Sequence, residues 1–561
     1  MRPLSRWLPF LNWPHLQWAL LRGEVIAGVT VSLVIIPQSV AYAALAGMPL
    51  VTGIFASFLP ALVAVLWSAS PRLSVGPTAL TSLLVMASLA GLAEPGSAQW
   101  VALAVWLALI SGLMQLALGV GRFGWVLNVV SAPVLAGFTQ AATVLIILSQ
   151  LPALIGLQAS WAGFLDSPQV HVGALVFGLG ALAVLVIGKR FAPHLPVVMV
   201  VVVGAGVISY SSEFAARGGA VIGSLPSGLP GWYWPPLLPW GTLGALVMPA
   251  MVIALLSFLE TASSAKVESD TSGKPWNDNQ DLIAQGLAKM ASAVSGSFPT
   301  SSSFSRSAIN LYAGAQTGWA TVFTVLMVLV VLLWLTPALY YVPSAVLAAV
   351  VVAAVGGLFK PTSFTRLWRL MPVEAFTMGV TFVVTLVTAP RIYWGVLAGV
   401  MVSLIAFLYH RLHPRIIEVG LHHDGSLRDR HLWNLAPLAE RLYALRMDAE
   451  LDFAAASSFE RNISEYLAAH SDTQHVCLFA QPINRIDATG VEVFTALRKH
   501  LSQRGITLHI SGMKLPVERV LLRASLLSDD PLLKLYRTDA EAVRKLAGQN
   551  VTSEWAPDSD T

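Results

Sequence analysis

The chain has 561 residues, of which 55% are hydrophobic and 11% charged, with a mean hydropathy of +0.68. Those proportions exclude an ordinary soluble domain and place the chain in a membrane. The formal charge of +4 does not mark a nucleic-acid binder, because the excess bases flank apolar spans, and a single cysteine, Cys477, excludes a disulfide framework.

The N-terminal stretch MRPLSRWLPFLNWPHLQWALLRGE lacks a signal-cleavage pattern and is expected to lie amphipathically along the membrane surface. Apolar runs of crossing length follow near residues 24–47, 50–68, 98–119, 125–149, 172–188, 194–210, 240–265, 317–336, 342–359, 373–389 and 391–410. Three shorter windows, 77–91, 282–296 and 302–315, read as half-helices or as helices buried inside a bundle, which brings the number of segments to fourteen. With the N-terminus cytoplasmic, bases such as Arg22, Arg122, Lys189, Lys274, Lys360 and Arg411 fall inside and only Arg217 and Arg391 outside, so both termini are expected in the cytoplasm.

Windows 77–91 and 302–315 are each third in a set of seven, and each follows a breaker-rich approach, SASPRLSVGPT or SGSFPTSSS. This pattern predicts inverted repeats, about 24–210 and 240–410, whose broken helices meet at the bilayer midplane. Pro77 suits the first turn of one half-helix, and Ser301, Ser302 or Ser303 caps the other. Facing helix N-termini favour an anion, and Arg306, one turn into the second half-helix, adds a full positive charge. The plainer reading of Arg306 is permanent pairing with a carboxylate. Glu260 lies late in the eighth segment, where low dielectric favours a neutral carboxyl; it reads as a proton site or as a counter-charge to Arg306 or Lys289. Gln38, just after the helix-interrupting Pro37, offers an amide to a substrate or to a neighbouring helix.

Beyond residue 410 the composition becomes ordinary. Residues 411–440 read as a linker, and His413, His422 and His423 lack the spacing of metal ligands. The runs RLYALRMDAEL, HVCLFAQPI, ITLHISGM and LKLYR alternate with helical patterns, which predicts a small α/β domain over 441–546 and a polar tail over 547–561. No phosphate-binding loop, catalytic triad or zinc motif is present, so neither an enzyme nor a cofactor is expected.

The stretches IIPQSVAYAALAGMPLVTGIFASFLP, LSVGPTAL, ETASSAK, NQDLIAQGLAKMASAVSG and FSRSAINLYAGAQT resemble the sulfate permease (SulP) family of anion transporters, which includes prestin and pendrin. The resemblance implies an all-α membrane domain of about 14 segments in a seven-plus-seven inverted repeat, with half-helices at the third and tenth positions, and a homodimer in the inner or plasma membrane. The family's substrate site maps onto Gln38, Gly76, Pro77, Thr78 and the run Ser303, Phe304, Ser305 and Arg306, with Glu260 beside it. Asp281 and Lys289 stand where the family commonly has Glu and Asn. The C-terminal domain resembles a cytoplasmic STAS domain, whose signature loop appears as IDATG at 486–490 and which implies a cytoplasmic protein partner. Ala488 replaces the phosphorylatable serine of regulated relatives, and Thr489 is expected to serve in capping or the turn. The function implied is secondary active transport of sulfate or a similar small anion, proton-coupled through Glu260, by alternating access between core and gate. Bicarbonate or a dicarboxylate as substrate, sodium coupling through Glu260 and Ser264, and a regulatory membrane scaffold stay open.

Overall fold

The computed structural model describes residues 8–157, 170–191, 196–273, 275–528 and 530–547. The first residues of the surface segment, Lys274 and nearly all of the polar tail therefore lie outside the described residues. Two compact units are present, Met1–Ser403 and Leu404–Thr561.

A helical segment falls in each of the fourteen apolar windows of the first unit. Those that build the site are α1 (Trp18–Leu45), α2 (Ala79–Leu89), α3 (Ala98–Val120), α4 (Trp240–Ser272), α5 (Asp278–Val294) and α6 (Phe304–Tyr312). Two-residue strands β1 (Val75–Gly76) and β2 (Ser301–Ser302) precede α2 and α6. Around them run Val51–Ala56, Leu59–Trp67, Ala132–Leu154, Val172–Phe191, Val197–Ser211, Trp319–Val330, Ser344–Gly356, Pro372–Val387 and Tyr393–Leu412. Among the described residues, seven helices are long and apolar enough to cross a membrane alone. The half-helices α2 and α6, of 11 and 9 residues, are not; nearly all of α2 is buried in protein, while α6 buries Arg306, Ser307 and Asn310. Window 50–68 is split at Ser57–Phe58, ahead of Pro60, which cannot donate a helical hydrogen bond.

Buried carboxylates join stretches far apart in the chain. Glu24 on α1 accepts from the amides of Gln316, Thr317 and Ala320 at 2.7–2.9 Å, taking up orphan donors at the start of Trp319–Val330. Asp281 on α5 accepts from Ser68 Oγ (2.6 Å), Ser70 Oγ (2.7 Å), Ala69 N (2.8 Å) and Trp276 Nε1 (2.7 Å). Small residues let α3 and α5 approach closely: a Cβ on Gly112 would meet Gly286 O at 2.8 Å, and one on Gly286 would meet Leu116 N at 2.7 Å.

The second unit holds a six-stranded sheet in the order β4-β3-β5-β6-β7-β8. Strands β5 (Leu442–Met447), β6 (His475–Phe479), β7 (Thr507–Ser511) and β8 (Leu533–Tyr536) are mutually parallel, as the four apolar runs predict. Helix Ala456–Ala469, α7 (Ala488–Gln503) and Leu515–Arg523 make the crossovers that parallel pairing requires. The stretch read as a linker, 411–440, is corrected here: β3 (Ile416–Leu421) pairs with β4 (Leu427–Asp429) in a hairpin and then antiparallel with β5. Its turn contains Asp424-Gly425, with Gly425 at φ 80°, and that dipeptide between apolar stretches is the hairpin signal. Asp487, not Thr489, caps α7 by accepting from Gly490 N at 2.8 Å. Cys477 is buried in the sheet, and burial pushes its thiol up, so it is inert packing.

Candidate functional site

The two half-helices are joined at their N-terminal ends. Strands β1 and β2 pair antiparallel, Val75 opposite Ser302 and Gly76 opposite Ser301, so α2 and α6 leave the junction in opposite directions. Ser303 N donates to Ser74 O (2.9 Å) and Ser74 N donates to Ser307 Oγ (3.0 Å), extending the clasp. Each helix is capped locally. Thr78 forms a reciprocal capping box with Thr81, and Ser303 Oγ accepts from Arg306 N at 3.4 Å. The amides of Ala79, Leu80, Phe304 and Ser305 have no acceptor among the described residues, so two sets of free donors flank one junction.

Arg306 is 1% exposed, and no carboxylate lies within ion-pair distance of it among the described residues. The permanent carboxylate pair of the plainer reading is therefore not formed among the described residues. Its Nε donates to Ser74 Oγ at 3.3 Å and its Nη1 to Gln38 Oε1 at 3.4 Å, both long, while Nη2 is buried without a partner. Gly76 lies against that free nitrogen: a Cβ there would sit 3.4 Å from Nη2, 3.2 Å from Ile35 Cδ1 and 3.6 Å from Ser57 Oγ. Buried Pro77 carries the chain from this glycine to the Thr78 cap. Gln38 is oriented by Arg306, and its amide nitrogen makes no hydrogen bond among the described residues.

Glu260, half-buried on α4, accepts from Thr78 Oγ1 at 3.1 Å, which ties the carboxyl to the cap of α2. Ser301 Oγ donates to Ser257 O at 3.0 Å and lies within reach of the same carboxyl. Ser264 is placed otherwise. Its hydroxyl donates to Glu260 O at 3.0 Å inside the helix and does not turn toward the carboxyl. Phe304 and Ser305 have exposed side chains, so at this junction they contribute backbone.

The fold gathers Gln38, Gly76, Pro77, Thr78, Glu260, Ser303 and Arg306, which the family resemblance mapped together, at one junction, and adds Ser74 and Tyr42. Ser74 stands two residues before Gly76 on the approach to the same half-helix, and buried Tyr42 lies one turn beyond Gln38 on α1. Spacing alone could have found both.

Residues 21–381 match the family model described as the Sulfate permease family, and residues 436–542 match that of the STAS domain. The chain belongs to the sulfate permease family. This is a family of transporters rather than enzymes, and the chain is a multi-pass membrane anion transporter with a C-terminal STAS domain. The "Sodium-independent sulfate anion transporter" of Bos taurus is 30% identical, with 93% of this chain and 89% of the relative covered. A probable sulfate transporter of Mycobacterium tuberculosis is likewise 30% identical, with 96% and 98% covered. Among solved structures, the murine Slc26a9 anion transporter in the inward-facing state aligns with a TM-score of 0.86 at 21% identity, covering 96% of this permease and 94% of that chain. The transmembrane domain of the cyanobacterial bicarbonate transporter BicA gives 0.58 at 20% identity over 69% of this permease and 98% of that chain, and both share its fold.

Proposed function

We propose that this permease accumulates sulfate together with protons, by alternating access of one anion site between the two sides of the membrane. The observation that carries the reading is Arg306, a buried guanidinium with one unpartnered nitrogen beside the junction of two half-helices. A tetrahedral dianion suits that donor set: the Nη2 hydrogens, the amides opening α2 and α6, and hydroxyls that rotate to suit. The names of the bovine and mycobacterial relatives support sulfate.

A negative-inside membrane opposes anion entry by about 2.3 kcal/mol per charge per 100 mV, so accumulation needs co-transported cations. Glu260 supplies the site for one. Ionised, its carboxylate accepts from Thr78 Oγ1, the same oxygen that caps α2; protonated, it loses its charge toward the anion. Proton and anion occupancy thus meet at one hydroxyl. Sodium is the less suited ion, because Ser264 is committed to a helix carbonyl and the bovine relative is sodium-independent by name. The reading includes a homodimer in the inner or plasma membrane, cytoplasmic termini, and a protein partner at the STAS domain.

The test is uptake of labelled sulfate by the purified protein in liposomes. Accumulation driven by an inward proton gradient, without sodium or any partner protein, is expected. Uptake that ignores the pH gradient and follows an imposed sodium gradient overturns the proton assignment, and no sulfate uptake under either gradient overturns the substrate.

A further inference from the structure

Lys289 has no place in the mechanism above, yet the fold puts it next to the site. It is 0% exposed, and among the described residues no carboxylate lies within ion-pair distance of it. Its Nζ donates to Gln115 Oε1 at 2.9 Å, and Gln115 Nε2 donates to Ala254 O (2.7 Å) and Ser257 Oγ (3.1 Å). Ser257 O in turn accepts from Ser301 Oγ in β2. One turn before Lys289, Gln285 Nε2 donates to Ser302 Oγ at 3.1 Å, and the adjacent Ala288 packs on Val75 of β1. The Lys289 face of α5 is therefore built against the anion junction itself.

The charged groups around this face are few. Asp281, eight residues back on α5 and roughly 12 Å along the axis, is saturated by hydroxyl, amide and indole donors. Glu268 is paired with Arg72 at 3.0 Å. Tyr42 lies beside Arg306, and Glu260 is the carboxyl that acts electrostatically on both Lys289 and Arg306. A fully buried cation demands a counter-charge, and here one is shared between two cations.

We infer that Lys289 is a second cation that matches the loaded site to a divalent anion. The inference rests on the proton-coupled reading. With Glu260 protonated and sulfate bound, the positive charges of Arg306 and Lys289 meet the two negative charges of the anion, and the junction is neutral. A monovalent anion in the same place leaves it one charge positive. Without Lys289 the balance reverses, and a monovalent anion with protonated Glu260 becomes the neutral combination. Lys289 is thus a specificity-determining residue that acts through its charge and need not touch the anion.

Sulfate and methanesulfonate are close in shape and differ by one charge, which makes them the probes. Binding of each to the purified full-length protein is compared for wild type, Lys289→Gln, Lys289→Arg and Gln115→Glu, with thermal unfolding of the same preparations. Gln115→Glu puts a carboxylate against the ammonium and cancels its charge in place, so it stands in where Lys289→Gln does not fold. Wild type and Lys289→Arg are expected to prefer sulfate, and both neutralising variants to lose about tenfold or more of that preference. Undiminished sulfate preference in folded neutralising variants, beside proton-driven wild-type uptake, overturns the inference and leaves the proton reading standing. A wild type without proton-driven uptake overturns that reading first, and the inference falls with it.

Discussion

Replacing Arg306 by Ala separates a substrate-serving arginine from a structural one. The guanidinium offers five N–H donors, and among the described residues only Ser74 Oγ and Gln38 Oε1 take any of them, at 3.3 and 3.4 Å. Those long bonds contribute little to the fold, and removing a buried cation without a carboxylate partner relieves a desolvation cost. Thermal stability in the absence of anion is therefore expected to hold within about 1 kcal/mol or to rise. Binding behaves differently. If Nη2 gives two charge-assisted hydrogen bonds to the anion, at about 1.5–3 kcal/mol each, their loss costs at least about 3 kcal/mol, or roughly 100-fold in affinity. Sulfate titration and thermal unfolding on one preparation read both quantities. Affinity reduced by less than about tenfold in a folded Arg306→Ala protein refutes the assignment, and so does a collapse of folding with no separable binding defect.

Glu260→Gln keeps the volume and holds the site in its uncharged form, so gradient-driven accumulation should vanish while sulfate exchange persists; unchanged accumulation would remove Glu260 from the coupling. Gly76→Val crowds Arg306 Nη2 and Ile35, and should weaken sulfate binding about tenfold or more at similar stability, measured by titration. Asp281→Ala strips the acceptor from Ser68, Ser70, Ala69 and Trp276 and should cost about 2 kcal/mol or more in thermal stability, with the preference for sulfate over methanesulfonate unaltered. In the STAS domain, burial and the neighbouring His475 and Lys534 push His509 down to about 4, so its neutral form favours the fold. That stability is full above the unfolded value near 6.5 and declines as pH falls from there toward about 4. Hydrogen-exchange protection factors across β6–β8, taken relative to the intrinsic exchange rate at each pH, should fall over that window, and His509→Gln should flatten the slope.

The half-helices were legible because their signals are chemical and local. Pro77 ahead of Thr78, and the serine run ahead of Arg306, announce helix starts in windows too short to cross a bilayer alone. The pairing of Val75 with Ser302 was not legible, since two-residue strands carry no alternation and their partners lie in different repeats. Asp281 stands where the family commonly has Glu, and its shorter side chain sits in a cradle whose four donor residues come from two separate stretches. The hairpin 416–429 was missed because its histidines and charges obscure two short strands in any compositional reading, although Asp424-Gly425 marks its turn. Arg306 was legible as a cation and silent about its partners. Only the fold shows that Ser74 and Gln38 accept from it and that no carboxylate is in ion-pair distance among the described residues.

The clasp between β1 and β2 also sets a timetable for biogenesis. Val75 must wait for Ser302, so the junction of the two half-helices cannot form until 227 further residues have been made. At roughly 5–20 residues per second, that delay is about 10–45 s. Throughout it, the approach to α2 carries strand-like backbone whose hydrogen-bonding partners are still unsynthesised, at a depth where lipid offers none. The first half of the newborn protein must therefore be screened by the insertion machinery or held back from the bilayer core until its twin arrives.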